Sequence, residues 1–296
     1  MERIELTTPD GATLAARLFR PVAPGRGTRA AVVIGPAMGV RQDYYQEFAA
    51  WLAEQGFLVA TFDYRGVGDS RPERWRRSLR GFEADLYDWA CDYDTVVADV
   101  ARRAGDAPLY LIGHSLGAQL PGMLTQRERI GGLLSVAAGS GYWRDNAPRL
   151  RRAVLLFWHL VVPVATRLCG YFPGRRLRKI GDIPEGVMLQ WRRWCLHPRY
   201  HVGAEGEVLR RAFEQARFPV VAWSITDDEL MTERGTRVLV DLYSAAPRRI
   251  ERIAPADVAA RRIGHFGFFR EQFRATLWAR AAELFQRFPP HGLETT

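Results

Sequence analysis

Four short runs that are apolar on both faces limit what this chain can fold into more than any other feature. They are Ala30–Ile34, Phe57–Phe62, Pro108–Ile112 and Leu133–Ala138. A half-buried strand alternates apolar and polar residues, so a continuous apolar run needs cover on both sides. Helical spacing lies between the runs. Tyr44–Gln55 sets Phe48, Leu52 and Ala53 on one side and stops at Gly56, Tyr93–Arg103 reads as a second helix, and Leu116–Gln126 as a third. Buried strands alternating with helices predict a mostly parallel central sheet flanked by helices, an α/β fold. Residues 3–19 read as two strands around a turn at Pro9-Asp10-Gly11. Later come a strand at Phe218–Ser224, a helix near Thr232–Tyr243, a last strand at Arg249–Ile253 and a long helix over Phe268–Phe288.

The alternation stops between. Residues 140–215 are rich in Trp, Arg, Leu and Pro and show no clear strand. The expected organisation is a core of residues 1–139 and 216–296 interrupted by a helical insertion over 140–215. A length of 296 residues fits one large domain with such an insertion. The longest apolar stretch, Ala153–Thr166, contains His159 and Pro163 and falls short of a bilayer span, so a buried or interfacial helix is expected and no stable membrane span. The last six or so residues, with His291, read as frayed.

The net charge is +9, and Lys179 is the one lysine. Such a balance suits an anionic partner: nucleic acid, membrane lipid or an acyl-carrier protein. The arginines are spread without a nucleic-acid motif, which fits the codon bias of a GC-rich genome and no nucleic-acid partner. Cys91, Cys169 and Cys195 show neither close pairing nor metal-ligand spacing, and no basic segment with an apolar run opens the chain. The expected setting is a reduced cytoplasm.

Gly113-His114-Ser115-Leu116-Gly117 matches G-x-S-x-G, between the strand ending at Ile112 and the helix expected from Leu116. A sharp turn there lifts a serine hydroxyl off the sheet edge. A helix start behind it aims N–H groups and positive dipole at developing negative charge.

With the elbow in place, the chain resembles the α/β-hydrolase superfamily over most of its length except the insertion. Gly35-Pro36-Ala37-Met38-Gly39 stands where that family has its His-Gly oxyanion loop, and Asp63-Tyr64-Arg65-Gly66-Val67-Gly68-Asp69-Ser70 resembles its D-x-R-G-x-G-x-S turn. The ending Arg261–Phe269 is similar to a bacterial branch of serine hydrolases of the serine aminopeptidase and lysophospholipase kind. The resemblance implies a nucleophile, an acid and a base in that chain order. Ser115 is the nucleophile. Of six histidines, His114 lies inside the elbow, His159, His197 and His201 lie in the insertion and His291 in the tail. His265, after the last strand and between Gly264 and Gly267, stands where the family carries its base.

The family's G-x-x-D after the preceding strand, with Ile225 replacing the glycine, selects Asp228 as the acid. Asp227 is the runner-up and Glu229 trails both, and an acidic turn capping the next helix is the competing role. Leu116, after the nucleophile, supplies one oxyanion-hole N–H. Matching Pro36-Ala37 to the family's His-Gly makes Met38 the other, with Ala37 the alternative. The insertion resembles the helical caps of the family. Trp143, Trp158, Trp191 and Trp194 with Leu155–Val162 suit a lipophilic acyl group, or serve only to hold the cap. Nothing calls for a cofactor or metal.

The expected function is a serine hydrolase cleaving a carboxylic ester or thioester with a lipophilic acyl group. The alternatives are an acyltransferase or cyclase using the same triad, and a ligand-binding protein without turnover.

Overall fold

The structure is a computed structural model and describes residues 1–21, 28–177 and 180–288, so Lys179 and the tail with His291 lie outside the described residues. Eight strands form one sheet: β1 (Glu2–Thr7), β2 (Thr13–Phe19), β3 (Ala30–Gly35), β4 (Phe57–Phe62), β5 (Leu109–His114), β6 (Ile130–Val136), β7 (Val220–Ile225) and β8 (Arg248–Ile253). In these labels the strand order is β1-β2-β4-β3-β5-β6-β7-β8. The β1–β2 and β2–β4 pairs are antiparallel and every later pair is parallel.

Strands β3 to β7 are buried along their whole length, the result of cover on both faces. The period-two geometry divides each strand between two cores. Ala31 and Val33 of β3 join Trp89, Tyr93 and Val97 of helix α2 (Leu86–Ala104), while Val32 and Ile34 join Phe48 and Leu52 of helix α1 (Gln46–Glu54) and Trp278 and Phe285 near the C-terminus. At the far edge β8 carries Arg248, Arg249, Glu251 and Arg252, a charged strand that discourages pairing with another sheet.

Three of the expected helices depart from the sequence reading. Helix α2 begins at Leu86, seven residues' worth of chain before Tyr93, because Asp85 and Asp88 form a reciprocal cap: the Asp85 side chain accepts from the Tyr87 and Asp88 amides, and Asp88 accepts from the Asp85 amide. The helix expected over Leu116–Gln126 is absent. A single 3-10 turn, Ser115–Ala118, follows the elbow, then another at Pro121–Met123. Pro121 has no N–H to continue a helix, and a Cβ on Gly122 would lie 2.5 Å from the Phe213 ring. The macrodipole expected behind Ser115 therefore shrinks to the N–H groups of one turn. The long helix expected over Phe268–Phe288 is likewise broken into 3-10 turns at Gly267–Phe269 and Glu271–Phe273, a π turn at Arg274–Trp278, and helix α8 (Ala279–Arg287). The Phe268 carbonyl accepts from the Trp278 indole at 2.7 Å instead of from a helical amide.

Between β6 and β7 lie helix α3 (Arg151–Cys169, with a π turn at Phe157–Val161), α4 (Glu185–Leu196), α5 (Tyr200–Ala204) and α6 (Glu207–Glu214). Where no strand was expected, two-residue strands at Tyr171–Phe172 and Ile183–Pro184 pair antiparallel. Trp158, Val162, Phe172, Trp194 and Phe213 share one apolar cluster with Leu111 and Leu133 of the sheet. Polar bonds also tie the insertion to the elbow: the Tyr200 hydroxyl donates to Gln119 Oε1 at 2.7 Å, and Gln119 Nε2 donates to the Gly139 carbonyl at 2.8 Å. Helix α7 (Glu233–Val240) is capped by Thr232, whose hydroxyl accepts from the Gly235 amide.

Candidate active site

Ser115 stands where β5 ends, at the carboxyl edge of the sheet, with φ +51°. A left-handed residue other than glycine costs roughly 1–2 kcal/mol and persists only where its surroundings enforce it. Here the flanking glycines allow the enforcement. A Cβ on Gly113 would lie 2.4 Å from the Ala118 Cα, and one on Gly117 would lie 2.0 Å from the Gly35 carbonyl oxygen. Gly117 thus lets the elbow press directly against the end of β3, and the loop after β3 carries Ala37 and Met38. Among the described residues the Ser115 hydroxyl makes no hydrogen bond, and the residue is 9% exposed.

His265 is brought beside this elbow from a loop 150 residues further along the chain. The His114 and His265 ring centroids are 5.3 Å apart. His265 Nδ1 and Asp228 Oδ2 are 2.9 Å apart with both side chains buried, and Nε2 has no hydrogen-bond partner among the described residues. Asp228 uses its second oxygen to accept from the Leu230 and Met231 amides at 2.7 and 2.9 Å, which fixes the carboxylate's orientation.

Its neighbours do different work. Asp227 accepts from the Ile263 and Gly264 amides, each at 3.0 Å, and Glu229 accepts from the His265 amide at 3.2 Å while pairing with Arg262. The helix-capping role considered for a neighbouring acid falls to Thr232. Asp227 and Glu229 instead clamp the backbone that carries His265, in a set that sequence reasoning missed. The signal was the unbroken acidic triplet itself, three carboxylates facing one loop.

The loop after β3 carries the two candidate amides, Ala37 and Met38. Ala37 N–H donates to the Tyr45 hydroxyl at 2.9 Å, so it is occupied. The Met38 and Leu116 N–H groups have no acceptor among the described residues. Tyr45 passes the connection on. Its hydroxyl lies 3.0 Å from His114 Nδ1, and His114 Nε2 lies 3.0 Å from the His265 carbonyl oxygen. A carbonyl only accepts, so Nε2 carries the proton and Nδ1 accepts from Tyr45. Burial, reinforced by nearby His265, holds His114 down at about 3, and burial raises the Tyr45 phenol well above its ordinary value. Both groups therefore stay neutral, and a buried chain of three bonds links the Ala37 amide to the backbone of His265. Nothing in the sequence marked Tyr45. Tyr45→Phe leaves a buried amide and a buried ring nitrogen unpartnered, a loss of about 1–3 kcal/mol. Urea denaturation is expected to show it; an unchanged midpoint would mean the chain of bonds carries no weight.

The Asp63–Ser70 turn braces the segment that follows the loop after β3. Asp63 accepts from the Gln42 and Asp69 amides, each at 2.8 Å, and burial pushes its carboxyl up to about 6 against those bonds. A Cβ on Gly68 would lie 2.2 Å from that carboxylate. Arg65 spans Asp92 of α2 and Asp10 of the β1–β2 turn. Two surface cavities of about 680 and 670 Å³ flank this turn, both lined by Arg71, Arg76 and Asp69, and Ser115 lines neither.

Of the other histidines, His159 is exposed on α3, and His201 is buried between Tyr200 and Phe213. Chemically, the arrangement offers a hydroxyl on a strained turn, an imidazole paired with a carboxylate, and two unoccupied amides, contributed by separate loops.

The profile of the family described as serine aminopeptidase, S33 matches residues 26–176, just over half of the chain. The chain is 34% identical over 85 residues to the lysophosphatidylserine lipase ABHD12 of Gallus gallus, covering 29% of this chain and 20% of that protein. It is 40% identical over 70 residues to the polyketide transferase claH of Penicillium crustosum, covering 23% of each. These stretches span about a fifth of the curated relatives' length. Among solved structures it is similar to a soluble variant of monoglyceride lipase from Saccharomyces cerevisiae in complex with a substrate analogue, with a TM-score of 0.68 at 14% identity over 97% of this chain and 96% of that one. That likeness shows the fold, an α/β-hydrolase.

Proposed function

Because the chain belongs to the serine aminopeptidase S33 family of α/β-hydrolases, a family of serine hydrolases, we propose that it hydrolyses a carboxylic ester or thioester with a lipophilic acyl group through Ser115, His265 and Asp228. The observation that supports this most is the buried 2.9 Å contact between His265 Nδ1 and Asp228 Oδ2, with the His265 ring 5.3 Å from that of His114, the residue before the strained Ser115. Asp228 holds the imidazole with Nε2 directed to its task. In the first half-reaction Nε2 takes the Ser115 proton as Oγ attacks the acyl carbon. The oxygen that becomes negative receives the Met38 and Leu116 N–H groups, and each such donor is worth roughly 3–4 kcal/mol in known enzymes. The leaving alcohol or thiol takes the proton from Nε2. Water then repeats the sequence on the acyl-enzyme and releases the acid.

The lipophilic acyl group rests on the apolar insertion, where Trp158, Phe172 and Trp194 pack over the same core as the sheet, and on the lipases among the relatives. Acyl transfer to an alcohol other than water is the second reading, favoured by the local likeness to a polyketide transferase. Product analysis separates the two.

The test is a fluorophosphonate probe followed by mass spectrometry, beside rates on p-nitrophenyl esters of increasing chain length. The adduct is expected on Ser115, with rates that rise from acetate to longer acyl groups. An adduct elsewhere, or no adduct with an intact fold, overturns the proposal.

A further inference from the structure

Helix α3 is apolar on two opposite sides, and only one of them is covered. Trp158, Val162 and Thr166 are buried against the rest of the protein. Leu156, Leu160, Val164 and Leu168 repeat every fourth residue and are 57%, 54%, 46% and 70% exposed. Leu160 lies two residues from both Trp158 and Val162, and Val164 two from both Val162 and Thr166. Two residues turn an α-helix by about 200°, so the exposed stripe runs opposite the buried one. It extends about 18 Å along the helix at 1.5 Å per residue. By length and composition the helix is apolar enough to cross a membrane, with a mean hydropathy of 1.4, yet its Trp158 face is part of the protein core. A continuous exposed stripe of this kind marks an interaction surface, whereas single exposed leucines do not.

Charge identifies the partner. From Asn146 to Gly181 the sequence holds eight basic residues and no acidic one. Arg149, Arg151 and Arg152 are exposed at the N-terminal end of the stripe and Arg167 at the other, and Arg176 is exposed in the turn beyond the helix and the Tyr171–Phe172 strand. Among the described residues none of these five has a carboxylate partner; Arg175 pairs with Asp182. A second copy of this chain would bring the same positive charges face to face. An apolar stripe bracketed by arginines fits a surface that is apolar inside and negative outside, and such helices lie in the interface plane of anionic bilayers. We infer that α3 docks this protein on an anionic lipid surface, with Leu156, Leu160, Val164 and Leu168 entering the acyl boundary and the arginines meeting phosphate groups. The inference rests on this face alone and stands apart from the chemistry at Ser115.

The test is cosedimentation of the full chain with phosphatidylcholine vesicles, with and without phosphatidylglycerol, over a salt series. Binding is expected to the phosphatidylglycerol vesicles, weakening as salt rises. Leu160→Glu with Leu168→Glu places two charges on the stripe and is expected to reduce partitioning by about tenfold or more. Both residues are exposed, so the denaturation midpoint should not move. Arg151→Gln with Arg152→Gln is expected to weaken binding only to the anionic vesicles. Ser115→Ala is expected to bind as the parent does, which separates this result from any failure of the catalytic reading. Absence of vesicle binding, or equal binding by the Leu160/Leu168 variant, overturns the inference. So does a lipid-free dimer in sedimentation velocity that the same variant abolishes, since the stripe would then belong to a second copy.

Discussion

Ser115→Ala is expected to slow hydrolysis of an activated ester by about 10⁶-fold, with KM little changed, because in the proposed mechanism the Ser115 Oγ is the atom that forms the acyl bond. His265→Ala should lose about as much, and the double variant no more than either alone, since the two act as one unit. Asp228→Asn is expected to cost about 10⁴-fold in kcat, because an amide facing Nδ1 favours the wrong imidazole tautomer. Asp227→Asn separates catalysis from scaffolding. Its carboxylate accepts from the Ile263 and Gly264 amides and does not touch the ring, so the loss should fall on stability and leave most of the rate. Steady-state kinetics beside urea denaturation check all four. Equal kinetic losses at Asp227 and Asp228 would remove the distinction between ring holder and loop clamp, and full activity of Ser115→Ala would end the covalent mechanism.

The second large effect is a pH dependence carried by His201. Burial holds this imidazole at about 3, among Trp194, Tyr200 and Phe213 with ring centroids 5.4, 4.9 and 4.7 Å away. Nδ1 accepts from the Val202 amide at 2.9 Å, an arrangement that requires the neutral ring. An unfolded chain binds a proton here at about 6.5. Below that value the unfolded state takes up a proton that the folded state refuses. The contribution of this site to stability is therefore complete above about pH 6.5 and is lost as pH falls toward 3. Asp63 and Asp92, both raised to about 6 by burial, titrate in the opposite sense and favour the folded state over part of that range. A difference measurement removes them. His201→Phe keeps an aromatic ring and discards the proton site. On acidification it should lose less stability than the parent, by about 1.4 kcal/mol per pH unit below about pH 6.5, or about 3 kcal/mol accumulated by pH 4. Urea midpoints from pH 7 to 4 give the comparison, and parallel curves would show that His201 does not titrate on unfolding.

The sheet was legible because burial on both faces leaves a trace that one sequence can show. Ala30–Ile34 is wholly apolar, and Phe57–Phe62 and Leu133–Ala138 each carry a single small hydroxyl residue, Thr61 and Ser135, both buried. The boundaries and the helices were less legible. Asp85 moves the start of α2 to Leu86 through a cap whose acids read equally well as loop charges. The helix expected after the elbow contained its own contradiction at Pro121, and the hydrophobic spacing of Leu116–Gln126 concealed it. Spacing reports which residues are apolar, and it does not report whether a backbone donor is missing.

By itself the sequence determined the α/β class, the elbow with its glycines, and a short set of histidines and carboxylates on the loops at one sheet edge. These follow from local chemistry: strand burial, the room a glycine leaves, and the order of motifs along the chain. Only the tertiary structure decided which oxygen meets which nitrogen. Asp227, Asp228 and Glu229 are adjacent and chemically alike, and a one-residue step in backbone direction turns one toward the His265 ring and the other two toward its loop. Tyr45 and His114 become partners across 69 residues because two strand ends lie side by side. The leucine stripe of α3 likewise becomes a surface only once the opposite face is covered. Each of these is a long-range contact, set by packing geometry to within an ångström, and no local propensity carries that information.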